Sequence, residues 1–225
     1  MSSMDENESR TRISYDAVAE RYAVEIAGEL ADKPLDRALL DCLVELSGNT
    51  GKIADVGCGP GHVAAYLAGR GAEVVGIDLS PGMVEVARRR NPGLRFEVGS
   101  LTALPVPDAT WAGAVCAYSI IHVPSGRRPV AYAELARAIA PGGWLLISFH
   151  LSDADRSAGE TAHLDDWWGT EVDLDFHFLD QDEVADGLTE AGFDVRSRTV
   201  RDPWPGVEHA SRRAYLLASR TGVLR

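Results

Sequence analysis

Cysteine is scarce in this chain. The three residues, Cys42, Cys58 and Cys116, are scattered and odd in number, which argues against a disulfide scaffold and for reduced thiols. No Cys-x-x-Cys or His/Cys spacing offers a zinc site, so no metal is expected. Basic residues are also few: 22 Lys plus Arg stand against 34 Asp plus Glu, a formal charge of −12. That field repels a phosphate backbone, so nucleic acid is not an expected partner. The one dense basic run, Arg88-Arg89-Arg90, reads as a helix end, where cations oppose the dipole. No run approaches the roughly 20 apolar residues that a membrane span needs. The polar, acidic segment 1–12 has no apolar centre of a secretory signal. Repeats and low-complexity segments are absent. The expectation is a cytoplasmic chain without membrane contact, monomeric or homodimeric.

What is present is punctuated. At 225 residues the chain suits one domain with additions. Segment 1–12 reads as a disordered tail and 13–48 as a helical cap. Within the cap, Ile13 to Leu30 has helical character and places Tyr15 and Tyr22 seven apart on one face. Pro34 opens a second helix with an apolar stripe from Leu35 to Leu46, closed by Ser47-Gly48-Asn49-Thr50-Gly51. Short apolar runs then alternate with helical patterns. Strands are expected at Ile53–Val56, Glu73–Asp78, Leu94–Val98, Ala112–Tyr118 and Trp144–His150. Ser80-Pro81 starts one intervening helix, and Arg128 to Ala140 forms another, closed by Pro141-Gly142-Gly143. This rhythm predicts an α/β, doubly wound (Rossmann-like) parallel sheet. Leu151 to Leu179 breaks it, and a connection that long reads as a lid or substrate wall. Asp180 with Glu183 begins a last helix. Phe193–Arg201 and Arg213–Ser219 complete seven strands. A loop, not a helix, joins those two, so the last strand should run antiparallel.

The stretch Ile53-Ala-Asp-Val-Gly-Cys-Gly-Pro-Gly-His62 organises the rest. Glycines at a strand-to-helix turn admit positive φ and close ligand approach. The helix start beyond offers unpaired N–H groups. Ligand in such a sheet lies outside the carboxyl strand ends, where Asp78 and Ser100-Leu101 also fall. A carboxylate ending the second strand is placed for ribose hydroxyls, which fits a nicotinamide dinucleotide and S-adenosylmethionine alike. The glycines run G-x-G-x-G rather than GxGxxG. Asp55 would repel a diphosphate and attract an ammonium. The turn therefore suits a donor with a cationic amino-acid end.

These motifs together resemble the class I S-adenosylmethionine-dependent methyltransferases. Asp55-Val56-Gly57-Cys58-Gly59-Pro60-Gly61 is similar to their first motif, and Gly76-Ile77-Asp78-Leu79-Ser80, followed by Met83, to the second. Leu104-Pro105-Val106-Pro107-Asp108 resembles the segment before strand four, and Leu135 to Ile147 the helix leading into strand five. Tyr15-Asp16-x-x-Ala19-x-x-Tyr22 resembles the N-terminal cap of the small-molecule branch.

The resemblance implies roles by position, with S-adenosylmethionine as cofactor. Gly57, Cys58, Gly59 and Gly61 would pass beneath its methionine part and Asp55 would hold its amino group. Asp78 would take the ribose hydroxyls, Leu79 and Met83 would flank the adenine, and Ser100-Leu101 would face its edge. Ser100 departs from the aspartate common in the family. Tyr118 and Ser119 would lie beside the transferred methyl, and Tyr15 and Tyr22 would close over the cofactor. His122 is the candidate base, since an imidazole titrates in a useful range; an orienting role is the competing reading. His163, Trp167, Trp168, His177 and Trp204 are candidate acceptor contacts, favouring an apolar or aromatic metabolite methylated on O or N. His150, His163 and His177 match no compact metal spacing.

Three other classes stay open. A protein or nucleic-acid methyltransferase is disfavoured by charge and by Ala117-Tyr-Ser-Ile-Ile121, where amino-directed enzymes often carry Asn/Asp-Pro-Pro-aromatic. A nicotinamide oxidoreductase is disfavoured by the glycine spacing. A protein that binds the cofactor without transferring methyl is not excluded by any residue.

Overall fold

The computed structural model describes residues 5–26, 28–48 and 51–222. Along the chain come α1 (Glu6–Glu25), α2 (Pro34–Ser47), β1 (Lys52–Val56), α3 (His62–Gly69), β2 (Val74–Asp78) and α4 (Pro81–Arg90). Then come β3 (Arg95–Val98), β4 (Trp111–Ala117), α5 (Arg128–Ala138), β5 (Ile139–Ser152), β6 (Thr161–Trp167) and β7 (Thr170–His177). The chain continues with α6 (Gln181–Glu190), β8 (Phe193–Arg201) and β9 (Arg212–Arg220). Seven strands pair in the order β3-β2-β1-β4-β5-β9-β8. β1 to β5 are mutually parallel, and β9 runs antiparallel between β5 and β8. The expected doubly wound sheet with its antiparallel last strand is thus the architecture observed.

Alternation along the strands explains the two layers. Ala54, Val56, Val75, Ile77, Ala114 and Cys116 face α5 and α6. Ile53, Val74 and Val115 face the other way, with Leu40, Leu43, Val63, Leu67 and Val84 of α2, α3 and α4. Side chains buried on both faces are what an internal parallel strand requires.

Three local expectations are corrected, and the insertion takes a defined form. The tail at 1–12 is instead helix from Glu6. Asp5 caps it, its Oδ1 accepting the Glu8 N–H at 2.8 Å, and Glu6 and Glu8 favour the dipole. Only residues 1–4 of that segment lie outside the described residues, as do Ala27 of the expected first helix, and Asn49 and Thr50. That helix stops at Glu25, and a 3-10 turn, Glu29–Asp32, precedes α2. The Pro141-Gly142-Gly143 stop lies inside β5, because Gly142 at φ +81 bends the strand without ending it. The 151–179 insertion is an ordered antiparallel hairpin, β6–β7. Its connection is Trp168-Gly169, with φ +58 and +80, the two positive values that a tight right-twisted hairpin turn needs.

Helix α1 is not part of either layer. Asp16 Oδ1 accepts from Ser80 Oγ at 2.5 Å and Gly82 N–H at 2.8 Å, tying α1 to the start of α4. On the other side, Arg10 pairs with Asp173 and Asp175, and Ser14 Oγ accepts the Asp173 N–H at 2.8 Å. Val18 packs between them on Val172 and Leu174. The helix is therefore clamped between the sheet domain and the hairpin.

Gly61 shows where a glycine is demanded by packing. It sits at φ +84 before α3, and a Cβ there would lie 2.8 Å from Phe96 Cζ. Gly71, just after α3, also has a positive φ, +90, but nothing lies within 4 Å. Gly61→Ala should lower the urea unfolding free energy by about 2–4 kcal/mol, strain plus overpacking. Gly71→Ala should lower it by only about 1–2 kcal/mol, from strain alone. Equal losses would remove the Phe96 contact as the cause.

Candidate active site

The carboxyl ends of β1 to β4 open on one cavity of about 1450 Å³, its mouth included. Its walls include Tyr15, Tyr22, Asp55, Gly57, Cys58, Gly59, Asp78, Leu79, Met83, Ser100, Leu101, Tyr118, Ser119 and His122. Every cofactor-side residue expected from the sequence is therefore here except Gly61, which packs α3 against β3 instead.

The glycine turn is built for close approach. A Cβ at Gly57 would lie 2.3 Å from Ser119 Cβ, so glycine lets the β4 loop settle on the turn. Ser119 then donates to the Val56 carbonyl at 2.9 Å. Gly59 has only Tyr22 Cε1 nearby, at 3.8 Å, and its backbone stays open to the cavity. Asp78 holds the turn closed. Its Oδ2 accepts the Gly59 N–H at 2.7 Å and its Oδ1 the Ser80 N–H at 2.9 Å. Burial pushes its pKa up to about 6, against those two hydrogen bonds. A carboxylate has about four acceptor positions, so Asp78 keeps capacity for a diol. Asp55 is deeper. Its Oδ2 accepts the Ala64 N–H of α3 at 2.9 Å, leaving Oδ1 without a hydrogen bond among the described residues. Burial raises its pKa to about 7, while His62 and the Ala64 N–H oppose that.

Opposite the turn, Tyr118 ends β4 at φ +55, a strained backbone for a bulky side chain. Its ring stacks on His150 at 5.0 Å. Its hydroxyl meets Tyr215 Oη at 2.9 Å, and Tyr215 donates on to Asp36 at 2.8 Å. Arg201 bonds both Asp36 and Glu208, and Glu208 also meets Arg213 at 3.2 Å and Lys33 at 3.4 Å. This buried network fastens α2 to β8, β9 and their loop. Its links from Asp36 to Arg201 and Tyr215 span 165 and 179 positions, and no local pattern announces them.

His122 sits in a 3-10 turn, Ile120–His122, and its two nitrogens are both engaged. Nδ1 lies 2.9 Å from the Asp175 carbonyl of β7, which can only accept, so Nδ1 carries the proton. Nε2 then accepts from Tyr15 Oη at 2.7 Å. Burial lowers the His122 pKa to about 4, and burial also raises that of Tyr15. His122 thus faces the cavity through Tyr15, not as an open base.

The five expected acceptor contacts are a correction: none lines the cavity. His163 is bound to Asp175 Oδ1 at 2.9 Å on the outer side of the hairpin, and His177 to Thr161 Oγ1 at 2.7 Å. Trp167 packs edge-on against Tyr15 and Tyr22, behind the cavity wall. Trp168 stacks outside Trp167 under Arg21. Trp204 lies against Arg201 on the surface loop. The hairpin turns its aromatic face to α1, which fills the space these residues would need.

Other wall residues were not anticipated. Glu8 and Thr11 of α1 line one end, while Glu29, Lys33, Asp36, Leu39 and Leu40 line the other. His62 also lines the cavity, with Nε2 on Glu29 at 2.9 Å and Nδ1 buried and unpartnered. Burial would raise the Glu29 pKa, but the His62 and Lys33 contacts bring it down to about 2.

Residues 53–143 match a family model described as a methyltransferase domain. Residues 53–143 carry a methyltransferase domain, and the fold is that of class I, S-adenosylmethionine-dependent methyltransferases. Over 126 residues the domain is 35% identical to a malonyl-[acyl-carrier protein] O-methyltransferase of Serratia marcescens, covering 56% of this chain and 46% of that one. Magnesium protoporphyrin IX methyltransferase from Synechocystis PCC 6803, solved with S-adenosylmethionine bound, superposes with a TM-score of 0.69 at 17% identity, covering 98% of this chain and 100% of that one. The [4+2]-cyclase SpnF superposes with a TM-score of 0.72 at 19% identity, over 95% and 96%. The chain spans 37–61% of the length of curated relatives that it matches.

The residues fit the cofactor. The turn is open at Gly59, Asp78 retains acceptor capacity, and a buried imidazole nitrogen at His62 lacks a partner. No helix among the described residues is long and apolar enough to cross a membrane.

The His122 geometry sets a pH dependence of stability. Its folded pKa, about 4, lies below the unfolded value of about 6.5. Between these values the unfolded chain binds more protons, so stability is present above about 6.5 and lost as pH falls toward 4. The full effect is on the order of 3 kcal/mol. His122→Gln should flatten the slope of unfolding free energy between about pH 6.5 and 5 relative to wild type, read by urea titration. Parallel slopes would show that His122 is not buried neutral.

Proposed function

We propose that this chain transfers a methyl group from S-adenosylmethionine to the oxygen or nitrogen of a small, apolar or aromatic acceptor. One observation carries the reading: the open glycine turn, Asp78 and the strained Tyr118 face a single cavity. When bound, S-adenosylmethionine supplies a methyl on an electron-poor sulfonium. Asp78 would accept the ribose hydroxyls, and Asp55 Oδ1 the ammonium. His62 Nδ1 would meet the amino-acid end. Leu79 and Met83 would flank the adenine, with Ser100 and Leu101 at its edge and Tyr22 over the turn. The acceptor would lie between Tyr118 and α2, where Leu30, Leu39, Leu40 and Leu146 make the wall apolar. That wall, rather than the hairpin tryptophans, supports an apolar acceptor.

The residues align and enclose the acceptor. Tyr15 donates its hydroxyl hydrogen bond to His122 Nε2, so its oxygen lone pairs are left to accept a hydrogen bond from the acceptor and orient it. His122 is then a positioning residue that keeps Tyr15 receptive, held in turn by the Asp175 carbonyl. The reading also takes the enzyme to be cytoplasmic, monomeric or homodimeric, and to work on free metabolites; the charge of −12 supports the absence of nucleic acid.

The superposition on a [4+2]-cyclase favours one second reading, cofactor binding without methyl transfer, since fold alone does not decide chemistry. Labelled S-adenosylmethionine incubated with small-molecule extracts separates the two. Labelled products with release of S-adenosylhomocysteine support transfer, and tight binding with no turnover would sink it.

Two further outcomes are expected. Asp78→Ala should weaken S-adenosylhomocysteine binding by more than about tenfold. In wild type that affinity should fall as pH drops below about 6, where Asp78 gains a proton, and Asp78→Asn should lose that part of the fall while keeping the part near pH 7 that Asp55 sets. Calorimetry checks both, and an unchanged affinity in Asp78→Ala would remove its role. Tyr15→Phe should cut turnover by about 10²-fold with little change in S-adenosylhomocysteine affinity. Adding His122→Ala should cost little more, as for groups acting as a unit. Near-normal turnover in Tyr15→Phe would leave the pair a structural latch.

A further inference from the structure

We infer that Glu8, in the first turn of α1, reads the exocyclic amine of the donor's purine. This rests on the donor reading above and deepens it. Ser100 Oγ, just after β3, lies 2.5 Å from Glu8 Oε1. Thr102 Oγ1 bonds the same oxygen. A hydroxyl carries one proton and a carboxylate only accepts, so both protons go to Glu8. Each hydroxyl also accepts: Ser100 Oγ from the Thr102 N–H at 3.0 Å, and Thr102 Oγ1 from Arg127 Nη2 at 3.1 Å. Neither has a proton left for a ligand.

Glu8 does keep capacity. Its Oε2 makes no hydrogen bond among the described residues, and it lines the cavity together with Ser100, Leu101 and Thr102. The Asp5 cap fixes the turn that carries it, and Arg127 approaches Asp5 at 3.5 Å. Beside it, the Leu101 N–H has no partner among the described residues. This end of the cavity therefore presents one acceptor and one donor. A 6-aminopurine offers the complement, an amine that donates and a ring nitrogen that accepts. A 6-oxopurine offers the reverse and would leave both protein groups unpaired, which sites of this kind reject strongly.

The test is calorimetry with S-adenosylhomocysteine and S-inosylhomocysteine, which differ at that one group. Wild type should prefer the adenosyl ligand by at least about tenfold. In Glu8→Gln the amide can donate as well as accept, so the preference should shrink to about threefold or less. An unchanged preference overturns the inference. Far-UV ellipticity checks that α1 persists. Where it does not, the double variant Glu8→Gln/Ser100→Asp decides, because it returns a carboxylate from the β3 side: a restored preference supports the inference and a lost one overturns it. Wild type that binds neither ligand would overturn the donor reading and this inference together. Tight adenosyl binding without dependence on Glu8 would overturn only the inference.

Discussion

One carboxylate, Asp78, holds the site in register. It accepts from the glycine turn on one side and from the start of α4 on the other. Ser80, fixed by that second bond, caps α4 through the Met83 N–H and donates to Asp16 of α1. From Asp16 the helix reaches the hairpin, and from Tyr15 it reaches His122. A short polar relay thus connects the floor of the cavity to everything that covers it. Burial raises the Asp78 pKa toward neutrality, so the same residue is both the mechanical joint and a site sensitive to its charge.

The covering elements divide the work. α1 brings tyrosines and a carboxylate inward, while the hairpin backs it with aromatic packing and a carbonyl that sets the His122 tautomer. The hairpin therefore acts on the chemistry at one remove. Its tryptophans shape the helix that shapes the cavity, and its histidines stay outside. On the far side, the Asp36–Arg201–Glu208 network does for α2 what Asp16 does for α1. Removing one partner from such a buried network leaves an uncompensated charge, which is far costlier than the pair is stabilising.

The sequence made the sheet and the donor turn legible because their signals are local. Strand, glycines and helix follow one another within ten residues, and Asp78 ends its own strand. The hairpin was hidden for physical reasons. A register shift between Leu164 and Asp166 breaks the period-two pattern, and its turn is Trp168-Gly169 rather than Asn-Gly or Asp-Gly. The start of α1 reads as a tail because Asp5, Asn7 and Glu8 are polar yet face a cavity, where polarity does not mean solvent. Glu8 finds its partners 92 and 94 positions later, a relation that no spacing rule reaches. Gly61 carried the expected residue type at the expected place but serves Phe96, since a motif fixes backbone shape before it fixes contact with ligand.

The clamp on α1 also bears on the order in which the molecule becomes complete. Helix α1, made before the sheet, contacts Asp173 and Asp175 at separations of 159 to 165 residues. Closing loops that long is entropically unfavourable, though the cost grows only with the logarithm of length. A nascent chain that already has β1 to β4 holds the glycine turn and Asp78 but lacks the surface that fastens Tyr15 over them. The floor of the site is made before the hairpin that closes it.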